Sequence, residues 1–170
     1  MDYFEYDPTP DIADKRRLNR AGYAARSLPF LLAALAFALL MRGITRLIGS
    51  TDNIGEALDA IILGGLASYG IFHYHHKLLE RRGNDAEADN RWETYLFQVG
   101  TLLACSNGVF PFHGKPLITI ILIQFAYGML LPDNPKANIH GSAKQADRTT
   151  KIWAGVAWFA AALLLFYLIK

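Results

Sequence analysis

Long apolar stretches alternate with short charged blocks along the whole chain. Five stretches are mainly apolar, at residues 28–48, 54–76, 94–110, 117–131 and 152–169. A helix needs about 20 such residues to cross a hydrocarbon core of roughly 30 Å. The pattern therefore predicts an all-α fold, a polytopic helical bundle integral to a membrane, with five transmembrane segments.

The number of crossings depends on how the block at residues 94–131 is divided. This block carries no charge except Lys115, and as one continuous helix it would be about 57 Å long, too long for a single crossing. Residues 110–116 contain two prolines and a glycine, and such a stretch cannot continue a helix. We therefore expect a hairpin here, with four crossings as the alternative count.

The basic residues predict an orientation. With the N-terminus in the cytoplasm, five crossings place 13 of the 17 Lys and Arg residues on the inner side, as the positive-inside rule requires. Residues 1–27 then form a cytoplasmic tail, in which residues 12–26 have the mixed basic and apolar pattern of a short interfacial helix. Residues 28–170 form a single transmembrane bundle, in which the polar residues 81–90 are expected to form a solvated cytoplasmic loop. The acidic residues of the tail and a poor cleavage sequence argue against a signal peptide.

Composition agrees with a membrane protein and excludes several other classes. Hydrophobic residues make up 52% of the 170-residue chain and charged residues 19%, against roughly 25% charged residues in soluble domains. The long apolar runs exclude intrinsic disorder, and the net charge of +2 excludes a strongly basic nucleic-acid-binding face. A single cysteine excludes a disulfide scaffold. We expect the lipid bilayer as a partner and no nucleic acid.

Two arginines and two carboxylates lie near the predicted outer turn. Arg42 and Arg46 are about one turn apart near the end of the first segment, and Glu56 and Asp59 lie near the start of the second. The intervening turn is short, so the two helices are expected to be antiparallel neighbours whose charges meet near the outer interface. Charges at this depth need a partner or an escape to the headgroups. They predict either a structural clamp or a gate for a charged substrate.

Three histidines cluster near the inner end of the second segment. His73 and His76 are three residues apart and share a helix face, a spacing compatible with a metal ion or a haem ligand. A metal site needs more ligands, and His140 is the only other histidine on that side of the membrane. We therefore expect the clustered histidines to lie at the membrane interface and to hold no cofactor. His73, His76 and His140 remain weak candidates for a metal site.

A polar stripe runs along the third segment, where Thr94, Gln98, Thr101 and Cys105 recur at helical spacing. Gln124 lies midway along the fourth segment, where its amide needs a partner. Such groups most often hydrogen-bond between helices, but a water-lined path has the same sequence pattern. Gln98, Thr101, Cys105 and Gln124 are therefore candidates either for helix packing or for a polar path.

Small residues recur at four-residue spacing on the second segment, at Ala60, Gly64 and Ser68. Ridges of small residues allow another helix to approach closely. This ridge predicts close packing either within the bundle or between protomers.

The sequence contains no phosphate-binding loop, dinucleotide fingerprint, zinc-protease, serine-hydrolase or paired-cysteine motif. We therefore expect a non-enzymatic protein, a small integral subunit or scaffold of a larger assembly in the bacterial inner membrane. Its partners are then other membrane proteins or further copies of itself. One alternative is a small oligomeric channel or transporter, with the polar path above and the outer charges as its filter. A weaker alternative is a metal- or haem-binding redox subunit.

Overall fold

The computed structural model describes residues 18–48, 54–86, 88, 91–108, 113–133 and 147–170, with the backbone alone for residues 47–48, 54–60 and 108. Five α-helices account for most of this part of the chain, which contains no strand. The all-α fold predicted from the apolar pattern is confirmed. The helices are α1 (Arg20–Ile48), α2 (Ile54–Ala86), α3 (Arg91–Cys105), α4 (Lys115–Leu130) and α5 (Arg148–Ile169), with a 3₁₀ turn at Ser106–Gly108.

Consecutive helices run in opposite directions. Ser27 near the start of α1 meets His75 in the second half of α2, whereas Met41 near the end of α1 packs beside Gly64 in the first half. The two ends of the bundle are named here after Arg82 and Lys170. The Arg82 end contains the start of α1 and the end of α4, and the Lys170 end contains the start of α4 and the end of α5.

The central helix is α4, which contacts all four other helices. Its sequence is apolar around nearly its whole circumference, as expected of a helix with neighbours on every side. By contrast, α5 contacts α1 and α4 but neither α2 nor α3 within the described residues. One face of α5 therefore remains exposed.

The helix break predicted at residues 110–116 is present, since α3 ends at Cys105 and α4 begins at Lys115. Gly114 has a φ of 77°, and a Cβ there would lie 2.7 Å from the Cα of Ala38. Only glycine combines this left-handed backbone with so close an approach. The turn therefore holds the start of α4 directly against α1.

Two predicted boundaries differ from the structure. Helix α2 continues to Ala86, ten residues beyond the predicted end of its segment, so the expected solvated loop starting at Arg81 begins as helix. This stretch is rich in Leu, Glu, Lys and Arg, which favour helix, and it buries Arg82 and Asp85. Residues 20–26 belong to α1 and form no separate interfacial helix. The remainder of the expected tail helix, residues 12–17, lies outside the described residues.

Among the described residues, two helices are long and apolar enough to cross a membrane, α1 over Arg20–Arg46 and α5 over Arg148–Ile169. Helix α4 is apolar but has only 16 residues. Large hydrophobic side chains are nevertheless exposed on all five helices, for example Leu39, Leu66, Leu102, Leu130 and Phe166.

Candidate functional site: the polar core of the bundle

The centre of the bundle contains a buried amide between two histidines. The Gln124 Oε1 atom lies 2.8 Å from His75 Nδ1, and the Gln124 Nε2 atom lies 3.0 Å from His76 Nδ1. The Gln124 side chain is fully buried, and His75 is too. One consistent set of protons has His75 Nδ1–H donating to the amide oxygen while the amide N–H donates to His76. The contact joins α2 to α4.

Further groups extend this hydrogen-bonded chain in both directions. The Ser27 hydroxyl lies 3.3 Å from His75 Nε2, and Glu80 Oε1 lies 3.4 Å from His76 Nε2. Glu80 is half exposed at 53%, so the chain runs from a hydroxyl on α1 to a carboxylate at the surface. Both ring nitrogens of His75 and of His76 are engaged, and neither ring presents a free lone pair to a metal or a substrate.

Aromatic rings surround the two histidines. The His76 ring centroid lies 5.0 Å from that of Phe97 and 5.8 Å from that of Phe72. The His75 ring centroid lies 5.4 Å from that of Phe30. Ring packing of this kind excludes water, which strengthens each hydrogen bond inside the enclosure. The arrangement can fix the positions of three helices.

A second polar cluster surrounds Arg82, whose side chain is only 1% exposed. Its guanidinium donates to the carbonyl oxygens of Leu18, Gly128, Leu131 and Pro132, at 2.9, 3.2, 2.8 and 3.2 Å. It also forms an ion pair of 2.8 Å with Asp133. The last carbonyls of a helix have no intrahelical partner and carry partial negative charge. Arg82 therefore caps α4 and ties it to the start of α1.

A buried carboxylate lies beside this end of α2. Glu93, in the first turn of α3 and one residue before the predicted third crossing, is 5% exposed, and its Oε1 has no hydrogen-bond partner in the described part of the chain. It lies against Gly83, where a Cβ would collide with the carboxylate. Burial, and in second place the negative charge of Glu80, raises the pKa of Glu93 to about 7. The group is therefore close to half protonated at neutral pH.

The predicted small-residue ridge faces the interior. A Cβ at Gly64 would lie 3.1 Å from the Cε of Met41 on α1. Ser68 accepts a hydrogen bond of 3.0 Å from the Nδ2 of Asn107. The side chain of Ala60 lies outside the described residues. The sequence predicted that this ridge packs either within the bundle or between protomers. In the structure, Gly64 and Ser68 pack within the bundle.

The residues of the predicted polar path do not share one surface: some are on the outer face of α3 and one is in the core of the bundle. Gln98 and Cys105 are exposed on the outer face of α3. Thr101 is half buried and its hydroxyl donates to the carbonyl of Phe97 in its own helix. Gln124 points into the core and is bound by the two histidines. The structure therefore separates Gln124 from the stripe on α3.

The predicted outer charges fall only partly within the described residues. Arg42 and Arg46 are exposed near the end of α1. The side chains of Glu56 and Asp59 lie outside the described residues, as does any pairing with the two arginines.

The weak metal candidates do not form a cluster. No group of three or more His, Cys, Asp or Glu residues suited to a metal is found in the described part of the chain. His73 stacks on Tyr69 with centroids 5.7 Å apart, while His76 is bound to Gln124 and Glu80. His140 lies outside the described residues.

Sequence reasoning missed three residues of the polar core. His75 was noted only as part of the histidine group, Arg82 was placed in a solvated loop, and Glu93 was given no role. One signal was available for Arg82 and Asp85, because a helical continuation of α2 places both on one side of that helix, three residues apart. No sequence signal indicates that Glu93 is buried against Gly83.

Comparison with known proteins gives no relative: no protein-family model, no curated protein and no solved structure matches the chain.

Proposed function

We propose that the chain is a small multi-pass membrane protein with five crossings, acting as a non-catalytic subunit or accessory scaffold of a larger assembly in a bacterial inner membrane. The proposal has two parts, the membrane location and the role as a subunit. They rest on different observations and have separate tests.

The distribution of side chains supports a bilayer around the bundle. Large apolar side chains point outward from every helix, while the interior holds Ser27, His75, Arg82, Asn107 and Gln124. Soluble proteins rarely expose so much contiguous apolar surface. Helices in lipid carry apolar groups outside and turn polar groups to one another.

The charges at the two ends of the bundle support the proposed orientation. The Lys170 end carries Arg42, Arg46, Lys115 and Lys170. The Arg82 end carries twice as many described basic residues, namely Arg20, Arg26, Lys77, Arg81, Arg82, Arg91, Arg148 and Lys151. The positive-inside rule places the more basic end in the cytoplasm.

Alkaline phosphatase fusions test the five crossings, because this enzyme is active only outside the cytoplasm. We expect activity for a fusion after Lys170 and none for a fusion after Ala88. Activity at both positions, or at neither, would contradict five crossings.

A single observation supports the role as a subunit, the exposed amide of Gln98. Gln98 lies on the outer face of α3 and makes no hydrogen bond within the described part of the chain. An amide left unbonded in hydrocarbon costs roughly 2 kcal/mol or more. A second helix that covers this face and bonds to Gln98 removes the cost. The exposed part of the stripe, Gln98 and Cys105, is therefore the proposed contact with a partner.

The chain's single cysteine is on the same face and provides the test. Oxidative cross-linking of Cys105 in native membranes is expected to give a dimer if a second copy covers α3. If another protein covers it, a cysteine-to-amine cross-linker at Cys105 should capture that protein for mass spectrometry.

The matched control moves the cysteine to another exposed position near the same end of the bundle, in the double variant Cys105→Ser/Leu165→Cys. We expect far less cross-linking from this position on α5. Efficient labelling of Cys105 by a maleimide, with no cross-linked product, would show that no partner covers this face of α3 and would contradict the subunit role.

The same stripe favours the oligomeric channel as the second candidate. Copies that turn Gln98 toward a common axis would line a polar path, but Gln124 would not belong to it. One cysteine per chain joins copies only in pairs, so native mass spectrometry is used to detect rings of copies; if rings are found, liposome flux should fall in Gln98→Leu while assembly is retained. Rings without flux would exclude the channel and leave a homo-oligomeric scaffold.

A further inference from the structure

A cavity of about 600 Å³ opens at the Lys170 end of the bundle, between α1, α5 and the turn into α4. None of the described side chains that line it is acidic, whereas three are cationic: Arg42 on α1, Lys115 at the start of α4 and Lys170 after α5. These are three of the four basic residues predicted for the outer side, and the fold brings them to one place from three parts of the chain.

Among the described side chains, which do not include those of Glu56 and Asp59, the three cations have few competing partners. The Lys115 Nζ atom is 3.5 Å from the carbonyl oxygen of Leu168, a long hydrogen bond. The Lys170 Nζ atom lies 5.3 Å from the centroid of the Phe166 ring. Arg42 makes no hydrogen bond or ion pair with the described residues. The positive charge at the cavity is therefore uncompensated by the groups described around it.

The start of α4 borders the same cavity through Lys115, whose N–H has no intrahelical partner, whereas Pro116 has no N–H to offer. The N-cap of α4 is Gly114, which provides no side-chain hydrogen bond to the first turn. The first N–H groups of an α-helix carry partial positive charge and bind anions. His113 also lines the cavity, and its Nδ1 atom is buried without a hydrogen-bond partner in the described part of the chain.

The remaining wall of the cavity is apolar, with Leu35 from α1 and Leu163 and Phe166 from α5. We propose that the cavity binds the phosphate ester headgroup of an anionic amphiphile, with the phosphate between Arg42, Lys115 and Lys170 and the acyl chain along this wall. Phosphate suits the donor set because it accepts several charge-assisted hydrogen bonds at once. Basic pockets between membrane helices bind lipid headgroups on this principle. The site is independent of the proposed partner surface, because α3 contacts neither α1 nor α5 within the described residues.

Native mass spectrometry of the detergent-purified full chain measures the binding. Dioleoylphosphatidylglycerol is titrated as the anionic probe, dioleoylphosphatidylcholine as the zwitterionic probe and glycerol 3-phosphate as the soluble phosphate ester. The variants are Arg42→Gln, Lys115→Gln and Lys170→Gln, each compared with Arg46→Gln. Arg46 is exposed on the same turn region of α1 and does not line the cavity, so it controls for loss of charge alone.

We expect phosphatidylglycerol to bind the wild-type protein at least tenfold more tightly than phosphatidylcholine. Each of the three cavity variants should weaken phosphatidylglycerol binding about fivefold. One cation near an anionic headgroup contributes about 1 kcal/mol, which corresponds to about fivefold in affinity. Arg46→Gln should bind as the wild type does. Arg42→Lys keeps the charge and should recover most of the affinity, which distinguishes a binding role from misfolding.

The soluble probe identifies the source of the phosphate. Weak binding of glycerol 3-phosphate beside tight phosphatidylglycerol binding supports a lipid from the bilayer. Equal binding of both probes overturns the proposal that the ligand is an amphiphile and leaves a site for soluble phosphate esters. Equal effects of Arg42→Gln and Arg46→Gln, or equal binding of the two lipids, overturn the site altogether.

Discussion

His75 and Gln124, 49 residues apart in the chain, share a buried side-chain hydrogen bond of 2.8 Å where α2 packs against α4. The same amide also bonds to His76, so a single side chain satisfies two imidazole rings inside the bundle. Its removal leaves two buried ring nitrogens without partners, and each unsatisfied polar group costs about 1–3 kcal/mol. The central helix is therefore held by a specific polar contact as well as by its apolar packing.

Replacing this amide by an apolar side chain of similar length is the first prediction. We expect Gln124→Met to lower the thermal midpoint in detergent by roughly 5–15 °C, because about 2–4 kcal/mol of stability is lost. The thermal midpoint is measured by fluorescence-detected size-exclusion chromatography after heating. Asn84→Met at an exposed position of α2 is the control and should change the midpoint by no more than a few degrees. Equal shifts in the two variants would show that the buried network contributes no stability.

The second prediction concerns the arginine that caps α4. Arg82→Met retains the apolar stem but removes the hydrogen bonds that the Arg82 guanidinium donates to Leu18 and to the end of α4. We expect a loss of about 2–4 kcal/mol, since several carbonyls lose a charged donor. The start of α1 should also loosen, so trypsin should cleave after Arg20 faster than in the wild type. Intact-mass analysis of a digestion time course gives the rate.

Lys77 on the same helix provides the control for Arg82. It is exposed, and its Nζ lies 5.9 Å from the centroid of the Tyr74 ring. Lys77→Met should leave both the thermal midpoint and the cleavage after Arg20 unchanged. A wild-type cleavage rate in Arg82→Met would show that Arg82 does not hold the start of α1, which Asp85 on α2 also contacts through a hydrogen bond of 2.8 Å from the N–H of Leu18.

A pair of glycines on α2 provides the third prediction. Alanine is favoured over glycine in a helix by about 1 kcal/mol, and a Cβ at Gly70 meets nothing within 4 Å. Gly70→Ala should therefore leave the thermal midpoint unchanged or raise it. Gly83→Ala should lower it, because the new methyl group collides with the Glu93 carboxylate. The double variant Gly83→Ala/Glu93→Ala should recover the loss, and failure to recover it would place the strain elsewhere.

The fourth prediction is a pH dependence that comes from Glu93. Its pKa is about 7 in the folded protein and near 4.5 ordinarily. Between these values the folded state holds a proton that the unfolded chain has released. Stability from this group is therefore highest below about pH 4.5 and falls as the pH rises to 7, by up to about 3 kcal/mol in total. Glu93→Gln should flatten this part of the profile and raise the thermal midpoint at pH 8.

Thermal midpoints measured from pH 5 to pH 8 test this dependence. Asp147→Asn is the control, because Asp147 is an exposed N-cap that accepts a hydrogen bond from Thr150, and asparagine caps a helix equally well. This variant should keep the wild-type profile. A profile in Glu93→Gln as steep as that of the wild type would assign the pH dependence to another group.

The local sequence was sufficient for the helices and for the break between α3 and α4. Apolar runs and the prolines and glycine at residues 110–116 act within a few residues of one another, so they can be recognised without the fold. The same reasoning failed at the end of α2. Residues 81–90 are polar and predict a solvated loop, but residues 81–86 continue α2. Arg82 is buried there because it contacts Leu18 and Leu131, which are 64 and 49 residues away.

For the polar residues too, one part of the outcome followed from the local sequence and another part from the tertiary structure. The sequence identified Gln124 as a group that needs partners, since an amide in an apolar segment is costly wherever it faces. It could not identify the partners, because each is on another helix and depends on how the helices are rotated about their axes. The tertiary structure alone decided that Gln124 turns inward to the histidines while Gln98 turns outward. It also brought Arg42, Lys115 and Lys170 to one cavity, because an up-and-down bundle gathers at each end residues that are far apart in the chain.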